Sequence, residues 1–438
     1  MIHSRKQYFS SFLIALLVIL LIAGCEVVKN IESGFGINPS TPSETSTPTI
    51  EPLLIPTGTL PVKRSELTLT LWVPPQFDPV EGNPPGILLL HRVEAFENEN
   101  PGLKVEIRVK SLTGNGSLLS SLATTTAAAP QALPGLILLN RSDFENAALK
   151  GLIFPIASRT AEYNTPDWYP FVNDLASFQG VQYGLPIFAD PMVMAYRTQL
   201  ISFPPKTWQE ISTQDNVVVA NLNNPKAVIP LAVYLTSGGK LVNDDGKAIL
   251  EPDPLTRTYQ FFFNASNSNA FPSWLIDLKT DEEVWNAFSQ DQGVLALVWA
   301  SQVLQKPLDN TSITTIPGSP SESIGFVDGW LLCVTNPTAE HSKFDLQLAD
   351  YLLEPDFLAQ WTEASGYLPA QRSVLAKWTD QTLVEKLSSI ADHSIVSPSN
   401  EIQQQLSPIL DQYVISLVRR QISPMQAVTE TLSKLEGK

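Results

Sequence analysis

The chain predicts an α/β fold in two lobes, each a mostly parallel sheet flanked by helices, with a cleft between them. Three observations carry this expectation. Residues 67–150 alternate strand-like and helix-like segments, a succession that right-handed crossovers fold into a parallel sheet. At 438 residues the chain exceeds one ordinary domain. The stretch QGVQYGLPIFADPMVMAYR (residues 179–197) combines a turn, a strand ending in Leu185-Pro186, a lone acid at Asp190 and a second apolar strand. It reads as the first crossing between lobes, with Asp190 at the mouth of the cleft.

The first 24 residues carry Arg5 and Lys6, then an apolar run from Phe12 to Ala23. A membrane span needs about 20 apolar residues, so this shorter run suits a secretory signal instead. Its end, Leu21-Ile22-Ala23-Gly24-Cys25, resembles a bacterial lipoprotein box, which implies cleavage before Cys25 and a lipid on its sulfur. The other reading is an ordinary signal followed by an incidental cysteine. Residues 38–61 (NPSTPSETSTPTIEPLLIPTGTLP) are rich in Ser, Thr and Pro, bury little and suit a semi-stiff tether. Cys25 and Cys333 are the only cysteines, which invites a disulfide. Lipidation of Cys25 would leave Cys333 as a buried thiol in the apolar run Trp330–Val334.

The folded body follows in order from near Lys63. Leu67–Val73 alternates leucine with threonine and is a strand. In Ile87–Asn98, Leu89, Val93 and Phe96 recur at i, i+4 and i+7, one face of a helix. Asn100-Pro101-Gly102 stops it, and Leu103–Val109 is the next strand. Leu118–Ala128 reads as helix, Gly135–Leu139 as a buried strand, and Asp143–Lys150 as helix ended by Gly151. Asn243-Asp244-Asp245-Gly246 between Lys240–Val242 and Lys247–Leu250 predicts a hairpin, because Asn and Gly tolerate positive φ. Phe344, Leu348 and Leu352 share a helix face, and Trp361 follows the Glu354-Pro355 break. Ser423 with Pro424 starts a last helix along Val428, Leu432 and Leu435.

Composition and motifs exclude several functions. Net charge is −16, and removing Arg5 and Lys6 with the leader makes it more negative still. Such a surface repels phosphate backbones, so nucleic acid is not a partner. No histidine stands in a His-Glu-x-x-His setting and no Cys-x-x-Cys occurs, so no metal site is expected. Asp244 and Asp245 lack the alternating oxygen ligands of a calcium loop. Gly114-Asn115-Gly116 is a turn, and no phosphate-binding loop or nucleophile elbow is present. His91 reads as a helix residue without chemistry. Glu97 with Glu99, and Asp281 with Glu282 and Glu283, read as solvated helix faces. No cofactor and no catalysis are expected.

A series of segments then carries a family resemblance. LTLTLWV, VEAFENENPGLKVEIR, PGLILL, ALKGLIFPI, VQYGLPIFADPMVMAYR, PPKTWQEI, SGGKLVNDDGKAIL, GVLALVWAS, GFVDGWLLCVTN, ADYLLEPDFLAQWTEASGYLPAQ and SPMQAVTETLSKLE run in family order from Leu67 to the C-terminus. Together they resemble the family 1 extracellular solute-binding proteins, the maltose-binding-like receptors of ABC importers. The resemblance implies a two-lobed periplasmic-binding-protein-like fold of type II. It places a signal peptide at 1–24, a tether at 25–63, lobe one at 64–189 plus 318–366 and lobe two at 190–317 plus 367–438. Two departures stand out: Pro134-Gly135 where the family has Pro-Asp, and a short stretch between Trp208 and Leu235.

Sugar recognition needs indole faces for pyranose C–H groups and paired polar groups for hydroxyls, within a mostly apolar pocket. The resemblance implies Trp72, at the end of the first strand, as a lobe-one contact. Asn140 and Arg141 follow the third strand, on the carboxyl edge where open α/β sheets bind ligands. Asp190 corresponds to the acidic crossing residue, Trp299 to the lobe-two tryptophan, and Asp328, Gly329 and Trp330 to the family's Gly-Gly-Trp return. Trp168 and Trp274 are further cleft candidates. Trp72 and Trp330 equally fit core packing, and Arg141 an ordinary surface position; Trp208 and Trp361 are expected in the core. Pro191 holds Asp190 extended, so bending is expected at Pro317–Ser319 and Tyr367–Pro369.

The implied function is that of a lipid-anchored, extracytoplasmic substrate-binding protein. It would capture a carbohydrate by hinge closure and deliver it, as a monomer, to ABC permease subunits. The alternatives are a polyamine or polyol phosphate as solute, or a sensor or adhesion lipoprotein. No cluster of carboxylates or of basic residues is apparent in the sequence to favour either other solute.

Overall fold

The computed structural model describes residues 67–157, 160–213, 215–318, 324–336 and 339–436. The leader, Cys25, the tether and Ser319 lie outside the described residues. The described residues all fall in the unit Arg64–Lys438.

Strand β1 (Leu67–Val73) lies between two parallel partners, β2 (Leu103–Val109) and β3 (Leu136–Asn140). The alternation in LTLTLWV buries Leu69 and Leu71, and toward the end Trp72 and Val73 are both covered. β2 is the edge strand, and its outward Lys104, Glu106 and Arg108 suit a strand with one exposed face. The first helix spans Pro84–Glu99, three residues earlier than its apolar period indicates. Pro84 and Pro85 fit its first turn, where a missing N–H costs nothing. The helices Leu118–Ala128 and Arg141–Leu149 follow in the expected places.

A two-residue ribbon, β4 (Ser177–Phe178) with β5 (Val181–Gln182), turns through Gln179 and Gly180, both at positive φ. The crossing segment follows as β6, a single 14-residue strand, Gly184–Arg197. The expected division at Leu185-Pro186 is absent. Instead, Ile187 is an extra residue at a bulge, where Phe188 pairs with Trp330 but Pro186 with the adjacent Leu331. The remaining strands are β7 (Val218–Ala220), β8 (Leu295–Trp299), β9 (Thr311–Thr315), β10 (Gly325–Val334), β11 (Leu368–Pro369) and β12 (Ser394–Val396). The sheet runs β2-β1-β3-β10-β6-β8-β7, with β9 and β11 also on β6 and β12 on β10.

Two halves are built around β6. Gly184–Pro191 pairs with β10, whereas Met192–Arg197 pairs with β8 and β9. One continuous strand therefore serves both lobes and changes partners between Pro191 and Met192. The sheet is mixed rather than mostly parallel. β1–β2, β1–β3, β7–β8 and β10–β12 are parallel, but β6 and β10 run antiparallel to each other, β10 to β3, and β6 to β8 and β9. The strand-helix-strand rule governs sequential crossovers, not a strand that returns from one lobe to the other.

On one side the helix Pro355–Ser365 packs on Pro84–Glu99. Trp361 Nε1 donates to Pro85 O at 3.1 Å, and its ring meets Phe188 with centroids 4.8 Å apart. On the other side the helix Pro252–Asn267 packs against Trp208–Thr213, Asn400–Val418 and Pro424–Glu436. Trp208 and Trp361 are both core residues, as expected. The 240–250 hairpin reduces to one antiparallel bridge, Val242 to Ala248, turned at Gly246 with φ +76. Ser423 Oγ accepts from Gln426 N at 3.3 Å, the expected cap. Cys333 is a buried free thiol.

Gly135 explains one departure noted in the sequence. A Cβ at this position would collide with the carboxylate of Asp345, which reaches in from the helix Ala339–Leu352. Asp345 is 1% exposed, and neither of its carboxylate oxygens has a hydrogen-bond partner. Burial pushes its carboxyl up to about 7.

Candidate functional site

Where β6 changes partners, several chain segments deliver polar side chains to one cavity of about 400 Å³. The register of β6 and β10 sets Asp190 directly opposite Asp328. Two carboxylates opposed on neighbouring strands repel, and the fold offsets this with donors. Ser301, at the start of the helix Ala300–Gln305, donates its N–H to Asp190 Oδ1 at 2.9 Å and its hydroxyl to Oδ2 at 2.6 Å. Asp328 Oδ1 accepts from Gly329 N at 2.8 Å, while Oδ2 lies 3.9 Å from Lys226 Nζ. Burial pushes the Asp190 carboxyl up to about 7; the Ser301 bonds oppose this rise and the charges of Asp328 and Asp281 add to it. Gly329 is required by the close approach of the strands, since a Cβ there would meet Phe188 O at 2.5 Å.

Two indoles flank these acids. Trp299 ends β8, and its Nε1 donates to Asp281 Oδ2 at 3.1 Å, which fixes the plane of the ring. Trp330 pairs with Asn140 across β10 and β3 and is 8% exposed, so most of it is core and one edge reaches the cavity. Asn140 caps the helix Arg141–Leu149, accepting from Asp143 N at 2.9 Å and donating to Asp143 Oδ2 at 3.2 Å. Tyr367 closes the wall, with its hydroxyl pushed up to about 12 by burial and by the Asp190 charge.

Asn140, Asp190, Trp299, Asp328 and Trp330 thus meet at one cavity, while four other candidates do not. Trp72 is 2% exposed, enclosed by the β1 environment with Lys110 Nζ 4.5 Å from its ring centre, and is not among the cavity-lining residues. Arg141 turns inward. It donates to Leu175 O and Ser177 O, each at 2.8 Å, and pairs with Glu145 at 3.0 Å, tying its helix to the β4 segment. Trp168 packs on Tyr163 with centroids 4.6 Å apart and bridges Gln371. Trp274 lies in the turn Ser273–Asp277, packed against the hydrophobic core.

Sequence reasoning missed Lys226, Ser301, Gln302, Asp143 and Tyr367. Ser301 had a signal, two residues beyond Trp299, and Lys226 had the turn-forming Asn224-Pro225. Asp281 was misread as solvated. It is held by Trp299 and approached by Asn221 Nδ2 at 3.5 Å, and burial raises its carboxyl. Two cavities of about 760 Å³ are larger, one beside β1 and β2 and one between the helices Trp208–Thr213 and Pro252–Asn267. Neither gathers side chains from both halves of β6, so size does not select the site. Among the described residues no group of three or more His, Cys, Asp or Glu is placed to hold a metal ion, and no helix is long and apolar enough to cross a membrane.

Among curated proteins no relative matches by sequence. Solved structures do match. Maltose-bound T. maritima MalE3 superimposes with a TM-score of 0.64 at 16% identity, covering 85% of this chain and 99% of that one. The cyclic alpha-maltosyl-1,6-maltose binding protein from Arthrobacter globiformis gives 0.66 at 16%, covering 85% and 98%. The GacH receptor of Streptomyces glaucescens, solved unliganded and with acarbose, gives 0.63 at 17%, covering 84% and 97%. At these identities the likeness is one of fold, the two-lobed periplasmic-binding-protein-like architecture. A sequence model described as bacterial extracellular solute-binding protein matches residues 91–386, and the chain belongs to that family.

Proposed function

We propose that the protein captures a carbohydrate between its two lobes and hands it to the permease of an ABC importer, held at the membrane by a lipid on Cys25. Family membership implies an extracytoplasmic location. The observation that carries the solute class is the pairing of Asp190 and Asp328 across β6 and β10, flanked by Trp299 and Trp330 in one cavity. Asp328 Oδ2, which lies 3.9 Å from Lys226 Nζ and accepts no protein hydrogen bond, suits a hydroxyl-bearing ring beside the indole edges, and structural neighbours described with maltose and acarbose support that choice. Closure is a hinge motion near Tyr367–Pro369, within the lobe boundaries given above. A solute bridging both lobes favours the closed state through differential affinity. The protein acts as a monomeric binder, not an enzyme.

One observation favours a second reading. Asp143, Asp190 and Asp328 line the cavity and Asp281 lies behind Trp299, a convergence of carboxylates suited to a polyamine. Against it, Asp190 accepts two bonds from Ser301, and Asp143 and Asp281 accept from Asn140 and Trp299. A thermal-shift screen of residues 64–438 with maltose, maltotetraose, tagatose and spermidine tests both. A ligand at a hundred times its Kd stabilises by about 2.7 kcal/mol. A shift from spermidine with none from any saccharide refutes the carbohydrate reading.

A further inference from the structure

Most polar groups facing the cleft already have protein partners. Both oxygens of Asp190 are bonded to Ser301, Asn140 is engaged with Asp143, and the Trp299 N–H is given to Asp281. Asp328 Oδ2 and Lys226 Nζ are different. They face each other at 3.9 Å, too far for a hydrogen bond. A hydroxyl oxygen placed between them can sit about 2.8 Å from each, a normal hydrogen-bond length. The side chains are 28% and 45% exposed respectively, so a solute can reach them.

The backbone holds Lys226 in place. Lys226 N donates to Asn224 Oδ1 at 2.9 Å, Ala227 N to Asn224 O at 2.7 Å, and Ser407 Oγ to Lys226 O at 2.8 Å. The next residue, Ala227, is fully buried with φ +47, a left-handed conformation that non-glycine residues rarely adopt. Such strain persists only where the surroundings over-determine it, and it gathers at ligand clamps. Lys226 is also the one cation among the described residues lining the cleft, and its charge acts on Asp143 and on Asp281.

We infer that Lys226 and Asp328 select the solute by clasping one hydroxyl between them. Lys226 donates to the hydroxyl oxygen, and the hydroxyl donates to Asp328 Oδ2. The same ammonium opposes binding of a polycation to the surrounding carboxylates. Lys226 thereby sets the preference for a neutral polyhydroxylated solute over a polyamine. This inference rests on the carbohydrate reading of the cleft.

Isothermal titration of wild type, Lys226→Met, Asp328→Asn and the double variant with maltose, maltotetraose, tagatose and spermidine tests it. A saccharide bound by wild type is expected to weaken roughly 10- to 100-fold in each single variant, the value of a hydrogen bond to a charged group. Because both groups serve one hydroxyl, the double variant is expected to lose much less than the product of the two single losses. Lys226→Met is also expected to bind spermidine more tightly than wild type. Lys226→Gln, which keeps a donor, recovers part of the saccharide affinity and stands in if the methionine variant does not fold. A saccharide bound within twofold by Lys226→Met, or fully multiplicative losses, overturns the clasp while leaving the carbohydrate reading intact. Absence of saccharide binding by folded wild type overturns both.

Discussion

Replacing Asp190 by asparagine is expected to make the protein more stable at alkaline pH, even though it removes the central acid of the cleft. In the native fold burial raises this carboxyl from 3.8 to about 7. The folded state therefore holds the proton more tightly than the unfolded chain. By linkage, stability is greatest below the unfolded value, falls as pH rises from about 4 toward 7, and levels off above the folded value. A rise of about three units at about 1.4 kcal/mol each gives a ceiling of about 4 kcal/mol. Asparagine is neutral throughout and can accept from Ser301 N through Oδ1 while its amide faces the Ser301 hydroxyl. Urea denaturation of both proteins near pH 5 and near pH 8.5 measures the effect. The stability difference should move toward the asparagine variant by about 2–3 kcal/mol between those pH values, the rest of the ceiling being already lost below pH 5. Subtracting the two proteins cancels the shared contributions of Asp345 and Asp411, whose carboxyls burial also raises, to about 7 and about 6. An equal difference at both pH values would refute the claim that Asp190 is held in a desolvating site.

Three further outcomes follow from other packed positions. Gly135→Ala places a Cβ against the Asp345 carboxylate and is expected to destabilise by about 1–3 kcal/mol in urea melts. Adding Asp345→Ala should recover most of that loss. Ala227→Gly removes the left-handed strain at φ +47 and is expected to stabilise by up to about 1 kcal/mol, read as a higher Tm, after glycine's own entropic cost. Arg141→Ala removes the charge partner of Glu145, whose side chain is 4% exposed and keeps the Asn400 N–H bond at 2.7 Å, and is expected to cost about 3–5 kcal/mol.

What the sequence made legible, and what it did not, divides along the range of the forces involved. β1, β2 and the helix Leu118–Ala128 appeared at their observed limits because side-chain periodicity and stop residues act within a few positions. The unity of β6 was not legible. Pro186 and Pro191 look like strand ends locally, and only the bulge opposite β10 and the change of partner to β8 show how one strand accommodates both. The same limit decided the site. Asp190, Trp299 and Asp328 stand in recognisable crossing segments, whereas Lys226 reaches the cleft through a turn shaped by Asn224 and Ser407, the latter 181 residues away. Trp72 and Arg141 lie away from this cavity for the same reason. Strand-end position is a local property, but which way an end residue faces is decided by long-range partners, here Lys110 for one and Leu175, Ser177 and Glu145 for the other. Gly135 joins the two cases. Alone it reads as a lost acid, yet Asp345 returns a carboxylate to the same space from a helix far along the chain. An acid missing from its expected position is therefore poor grounds for inferring a missing charge, because a buried volume can be filled from either side of a packed interface.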